Sequence, residues 1–337
     1  MTAVSLEGIR TGRGVVSPSM SDDLDPARST AVIATAYGGP EVLAVIEVEQ
    51  PPPGPGQVAL AVRAAGINPI DWKRYSGVYG TDPAGLPMRL GFEVAGVVTA
   101  VGDGVADWQA GDEVLARVQG GYADTVLADA DALIRKPDVV DFAQASGLLL
   151  AGGTAVHTLV ATGVGSGDTV LIHGAAGGVG HLAVQVAVAR GARVIGTASE
   201  RNHDLIRRLG GEPVTYGASL ADRVRALAPD GVTAAVDTVG TEEALDVSEE
   251  LVADRGRIAT IVNFVRGTRD GVKVLGGGPG ADPGEDIRRA AGDELAGLAA
   301  DGRLTVVVRA TYPLAEVADA HRAGMTDHGA GKIVLTV

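Results

Sequence analysis

An α/β chain with a doubly wound parallel sheet beside a β-rich part is predicted by three observations. A short apolar, β-branched run, Thr169 to His173, is followed by a glycine turn and then by an almost wholly apolar helix, Leu182 to Ala189. Gly191 closes that helix and the next strand, Arg193 to Thr197, follows at once, which makes one βαβ unit. Before this unit, and again at the C-terminus, the chain reads instead as short strands punctuated by Gly and Pro.

Taken in order, residues 1–28 are polar, rich in Gly, Ser and Asp, and show no periodic apolar face, so they read as a disordered leader. No signal-peptide core follows Arg10 and Arg13, and no segment offers about 18 uninterrupted apolar residues. The expectation is a cytoplasmic protein, neither secreted nor membrane-spanning. Strands are expected at Ala31 to Ala34 and Leu43 to Glu49, around a Gly38-Gly39-Pro40 turn. The proline run from Pro51 to Pro55 cannot enter a sheet interior and reads as a rigid connector before the strand Gln57 to Ala65.

Gly66 to Tyr79 is the first stretch that could carry chemistry. Within Asn68-Pro69-Ile70-Asp71, the carboxylate is read as a helix cap in preference to a general acid. A buried strand follows from Gly91 to Val101, and Gly111 to Val114 and Gly120 to Ala123 supply further turns and strands. From Asp141 to Thr162 an apolar helix is expected to break at Ala151-Gly152-Gly153 and to resume at Thr154, which caps the second piece.

The turn Gly174-Ala175-Ala176-Gly177-Gly178-Val179-Gly180 lies between strand and helix, as a dinucleotide-binding turn requires. Its glycines permit a tight bend, close backbone approach to a pyrophosphate and close helix-to-strand packing, while the helix N-terminus offers free N–H groups. Ala175 departs from the strict pattern, which has a glycine there. Ala234 to Asp237 and Gly256 to Val262 read as further parallel strands, so Val239, Gly240 and the backbone around Val262 belong to ligand-facing turns. The Gly276 to Gly284 stretch reads as a connector, Asp286 to Ala300 as a helix, Leu304 to Ala310 as a strand and Gly331 to Leu335 as the closing strand.

Gly174 to Gly180, with Ala65 to Asp71 (AGINPID) and Gly120 to Ala123 (GGYA), resembles the medium-chain dehydrogenase/reductase superfamily, specifically its zinc-free quinone oxidoreductase branch. The resemblance runs from about Thr30 to the C-terminus and implies a GroES-like β-rich catalytic domain flanking an inserted Rossmann domain. The expected divisions are residues 29–153 and 302–337 for the former and 154–301 for the latter. In zinc-dependent members, metal ligands occupy the positions matched here by Asn68, Phe92 and Leu150, none of which can hold zinc in that way. The resemblance implies that Asn68 lies near the nicotinamide and that Tyr79 and Lys73 belong to the substrate side. Lys73 and Tyr75 stand where that branch has a tyrosine and an arginine.

By the same resemblance the cofactor contacts are Thr154, Ala176, Gly177, Gly178, Val179, Val239, Val262 and Lys332. Where NAD enzymes carry an Asp for the adenosine ribose, this chain has Ala198, followed by Ser199, Glu200 and Arg201. Loss of the acid removes repulsion against a 2′-phosphate, and Ser199 and Arg201 can bind one, with Tyr216 matching a tyrosine that closes over it. NADPH is therefore the expected cofactor, although a one-residue shift would let Glu200 serve as the ribose acid.

Composition bounds function independently. With 337 residues, 46% hydrophobic and 21% charged, the chain can build two cores. A formal net charge of −14 argues against nucleic acid and anionic membrane as partners, and the absence of cysteine excludes disulfides and thiolate chemistry. A small-molecule substrate and a homodimer are expected. The reading is a zinc-independent NADPH-dependent reductase of quinones or α,β-unsaturated carbonyls. An enoyl-thioester reductase is the alternative, and a non-catalytic NADPH-binding protein is the alternative of another class.

Overall fold

Six parallel strands form the sheet on which the glycine turn is mounted, in the spatial order Glu212–Val214, Arg193–Thr197, Thr169–His173, Ala234–Asp237, Ile258–Thr260 and Lys273–Val274. The computed structural model describes residues 27–278, 280–326 and 329–337. In chain order the six strands read 3-2-1-4-5-6, so the direction of winding reverses between Thr169–His173 and Ala234–Asp237. That switch point is where an open α/β sheet leaves a crevice at its carboxyl edge. Both faces are apolar, as in a sheet covered on each side by helices. Val170, Ile172, Val194, Ala234 and Val236 belong to one core, and the alternate Leu171, Ile195, Ala235 and Ile258 to the core on the other face.

The β-rich part contains a seven-stranded sheet. Its main path runs Val308–Pro313, Lys332–Thr336, Gln57–Gly66, Glu93–Val101, Glu113–Arg117 and Leu133–Arg135, and Thr125–Asp129 pairs with Gln57–Gly66 off that path. A three-stranded sheet, Leu43–Gln50, Ala27–Ala34 and Met88–Arg89, flanks it. The two parts are not separated by a solvated gap. Ala95 and Leu115 of the barrel-like sheet share a core with Leu148, Leu149, Val170 and Ile172.

The structure departs from the sequence reading at several places. Residues 1–26 of the expected leader lie outside the described residues, but Ala27 and Arg28 already open a strand, because that strand pairs with Leu43–Gln50 over its whole length. Of the Gly276 to Gly284 connector, Pro279 lies outside the described residues. The segment 304–307 is not sheet. Gln185 holds both backbone groups of Thr305 through its side chain, at 2.8 and 3.0 Å, and His181 accepts the Val307 N–H, so pairing starts only at Val308.

The expected break at Ala151-Gly152-Gly153 does not occur. Phe142–Ser146 ends at Gly147, and one uninterrupted helix, Leu149–Ala161, runs through both glycines. Glycine costs a helix interior about 1 kcal/mol relative to Ala, but here packing decides. A Cβ on Gly152 would stand 2.7 Å from Leu295 Cδ1, so the glycines let Glu285–Ala300 lie close against this helix. Thr154 is therefore no cap. It sits in mid-helix, its hydroxyl donating to Leu150 O at 2.8 Å.

Candidate active site

The glycine turn is held in shape by backbone sterics. Gly174 has φ +73°, a left-handed conformation that favours glycine, and a Cβ on Gly180 would collide with the Gly174 carbonyl. Gly177 donates to Gly174 O at 2.8 Å and closes the bend. The N–H groups of Gly178 and Val179 meet no acceptor among the described residues, and they stand at the N-terminus of Gly180–Ala189. Such a cradle suits a phosphate. Ala176 adds a structural link, because its carbonyl accepts the Gly331 N–H at 2.8 Å and so joins the turn to the head of the closing strand.

Parallel pairing of Arg193–Thr197 with Glu212–Val214 brings two strand ends together, and with them the residues expected at the adenosine end. Ala198 donates its N–H to Val214 O. Ser199, Glu200 and Arg201 follow the first strand, and Thr215 and Tyr216 the second. Asn202 donates to Ser199 Oγ at 3.2 Å, and His203 Nε2 lies 3.3 Å from Thr215 Oγ1. Arg201 and Glu200 are both exposed on one turn, and neither side chain has a hydrogen bond or ion pair among the described residues.

At the switch point, Asp237 is wholly buried and fastens two loops. Its Oδ1 accepts the N–H groups of Val239 at 2.9 Å and Gly240 at 2.8 Å, while its Oδ2 accepts from Thr260 Oγ1 at 2.7 Å. Thr260 in turn accepts from the amides of Val262 and Asn263. One carboxylate thereby sets the positions of both Val239 and Val262, and their side chains stay half exposed. Behind Asp237, burial pushes the His173 imidazole down to about 4.

The fourth group is a buried polar centre where the closing strand meets the helix Pro69–Tyr75. Lys332 is 3% exposed, and its ammonium donates to Asn68 Oδ1 at 2.6 Å, Ile67 O at 3.0 Å and Glu93 Oε1 at 3.1 Å. All three ammonium protons have acceptors. Glu93 also accepts from Asn68 Nδ2 at 2.9 Å and, through its other oxygen, from the Leu150 amide at 2.8 Å. A positively charged side chain thus stands among the residues at two of the positions matched to metal ligands. Among the described residues no group of three or more His, Cys, Asp or Glu side chains is arranged to hold a metal ion.

Asp71 caps its helix as the sequence predicts, accepting the Asn68 N–H at 2.7 Å. Its Oδ2 also accepts from the Tyr122 hydroxyl at 2.8 Å, while Oδ1 is buried without a partner. Burial pushes this carboxyl up to about 7, against the lowering effect of the Tyr122 and Asn68 hydrogen bonds and of Lys332. Beyond Tyr122 the network continues to His321, which lies 3.4 Å from the Tyr122 hydroxyl and 2.8 Å from that of Tyr75. Burial holds His321 down at about 4, so it is neutral at pH 7.

The contacts therefore unite Asn68, Lys332 and the glycine turn. Lys73 and Tyr79 are not drawn into that centre, since neither side chain has a hydrogen bond among the described residues. Tyr79 is 46% exposed. Glu93, Asp237, Tyr122 and His321 escaped the sequence reading of the site. A lone carboxylate at the head of an apolar run signals Glu93, and one at the end of such a run signals Asp237. Nothing local signals His321, whose partner Tyr75 is 246 residues away.

Comparison with known proteins agrees with this assembly. Residues 54–138 match the model of the alcohol dehydrogenase GroES-like domain, and residues 209–335 match that of the zinc-binding dehydrogenase family. The chain is 36% identical over 321 residues to the quinone oxidoreductase of Pseudomonas aeruginosa, covering 89% of this chain and 97% of that one. It is 31% identical to the chloroplastic NADPH-dependent alkenal/one oxidoreductase of Arabidopsis thaliana, covering 92% and 80%. Among solved structures, a mycobacterial protein in complex with NADPH superimposes with a TM-score of 0.77 at 33% identity, covering 91% of this chain and all of the other.

Proposed function

The chain belongs to the quinone oxidoreductase branch of the medium-chain dehydrogenase/reductase superfamily, and from that premise we propose that it is a zinc-independent, NADPH-dependent reductase of quinones or α,β-unsaturated carbonyls. NADPH supplies a hydride from C4 of its nicotinamide. The residues fit such a cofactor, since the backbone at Gly177, Gly178 and Val179 is open to a pyrophosphate and a Cβ is admitted neither at Gly174 nor at Gly180.

Ser199 and Arg201 bind the 2′-phosphate and Tyr216 closes over it. Val239, Val262 and Thr154 border the nicotinamide, with Asp237 fixing the first two. Asn68 faces the reacting end, where Lys332 and Glu93 deny it rotameric freedom. Catalysis by this chain is then chiefly orientation and exclusion of water, and a proton reaches the reduced acceptor from solvent or from Tyr79 at the mouth. Lys73 is assigned to the same mouth. We place the division between the catalytic and nucleotide-binding parts at residues 153/154 and 301/302, and read the working protein as a cytoplasmic homodimer.

The observation that carries the proposal is the continuity from the phosphate cradle to the buried centre: Ala176 holds Gly331, and the next residue, Lys332, holds Asn68. A steady-state survey of NADPH oxidation across quinones, alkyl enones and acyl thioesters tests it. Turnover of the first two is expected. Preference for thioesters would move the protein to enoyl reduction, and background rates with all three, despite tight NADPH binding, would leave it a binding protein.

A further inference from the structure

We infer that Arg223 sets the NADPH preference of this site by clamping the loop that carries Tyr216; the inference rests on the NADPH reading above.

Tyr216 is 55% exposed, and its side chain makes no hydrogen bond among the described residues. Its position must therefore come from the backbone on either side. That backbone is held by one guanidinium. Arg223 donates to Thr215 O through Nε at 3.1 Å and Nη2 at 2.7 Å, to Gly217 O through Nη2 at 3.0 Å, and to Ala218 O through Nη1 at 2.6 Å. From the opposite side Glu243 accepts the Gly217 N–H at 3.0 Å. The loop thus has a clamp on three carbonyls and a strut on one amide, with Tyr216 at its apex.

Two further observations mark the clamp as more than ordinary loop packing. Ser219, at the end of the same loop, has φ 61° and is the single non-glycine residue in the left-handed region among the described residues. Such a conformation persists only where surrounding contacts over-determine it, and it tends to occur at ligand-holding segments. In addition, all four hydrogen bonds of Arg223 go to main-chain carbonyls of this loop, so the whole guanidinium fork is given over to holding it. A 2′-phosphate benefits from a tyrosine so placed. A bare ribose, which has no phosphate for the tyrosine to cover, does not. Arg223 is therefore a positioning residue: it acts through Tyr216 and touches no reacting atom.

The test is a set of dissociation constants for NADPH and NADH, measured by fluorescence titration of the whole protein and of the variants Arg223→Ala, Arg223→Lys, Tyr216→Ala and the Arg223→Ala/Tyr216→Ala pair. Loss of the clamp is expected to weaken NADPH about tenfold and NADH by about twofold at most. Lysine should restore little, because one ammonium cannot span three carbonyls as the planar fork does. Adding Arg223→Ala to Tyr216→Ala should cost almost nothing more, because the tyrosine that the clamp places is already gone. Unchanged NADPH affinity in Arg223→Ala or Arg223→Lys, or fully additive losses in the pair, overturns the inference. If Arg223→Ala does not fold, Arg223→Lys and the comparison between Tyr216→Ala and wild type still decide it. Failure of the underlying reading looks different, since the wild-type protein would then prefer NADH.

Discussion

Lys332 Nζ lies 3.1 Å from Glu93 Oε1, and neither side chain is more than 3% exposed. An ion pair this deeply buried is tolerable only because every remaining valence is met: Asn68 and Ile67 accept from the ammonium, and Asn68 and Leu150 donate to the carboxylate. The pair ties the closing strand to the strand Glu93–Val101 and to the start of the helix Leu149–Ala161, three elements that meet around Asn68.

Removing one partner should therefore be costly and removing both much less so. Lys332→Met leaves an unpaired buried carboxylate and should destabilise the protein by about 3–5 kcal/mol. Combining it with Glu93→Gln should recover most of that loss. Urea denaturation of the two single variants and the double variant measures this, and equal midpoints for Lys332→Met and wild type would contradict the coupling described.

A second outcome concerns pH. Asp71 has a carboxyl raised from 3.8 to about 7, mainly by burial, with Tyr122, the Asn68 amide and Lys332 opposing and Glu93 adding to the rise. Below pH ~4 the folded and unfolded chains both carry the proton, so Asp71 imposes no penalty. Between about 4 and 7 the unfolded chain loses its proton while the folded one keeps it, so stability falls as pH rises through that window and levels off above it. Asp71→Asn keeps both hydrogen-bond acceptances but does not titrate. Its stability relative to wild type should grow by about 2–4 kcal/mol from pH 4 to above pH 7. A difference independent of pH would show that the carboxyl is not titrating in this range.

The third outcome separates the two acidic and basic candidates at the adenosine end. Arg201 and Glu200 share one exposed turn, and both are free to meet a ligand. A charge-assisted pair with a 2′-phosphate contributes on the order of 1.5–3 kcal/mol, so Arg201→Ala should weaken NADPH roughly ten- to a hundredfold and leave NADH nearly unchanged. Equal weakening of both cofactors, or loss of NADH binding in Glu200→Gln with NADPH unaffected, would assign the ribose to Glu200.

These outcomes also mark how far the sequence could be read. Thr169–His173, Arg193–Thr197 and Ala234–Asp237 are legible to the residue, because each is a short, largely apolar or β-branched run whose central residues are buried on both faces. The helix through Gly152 and Gly153 was not, because its continuity depends on Leu295, which lies far along the chain and accepts no larger neighbour. At the site, the glycine turn announces itself by its place between strand and helix, whereas Asn68 is picked out by the family resemblance. Several of the buried residues that brace the site do not announce themselves. Asp237 matters because two loops place their amides on it, and His321 because folding brings it against Tyr75 and Tyr122. Such roles belong to contacts across the fold, which composition and periodicity do not encode.

Hydride transfer without metal assistance is tested most directly by isotope. The purified protein, dialysed against chelator and shown by elemental analysis to lack stoichiometric zinc, is given NADPH carrying deuterium at both C4 positions and an α,β-unsaturated ketone, and the product is analysed by mass spectrometry. One deuterium is expected on the β-carbon, at a rate that chelation does not change. Deuterium-free product, or activity that disappears on chelation and returns with added zinc, would contradict it.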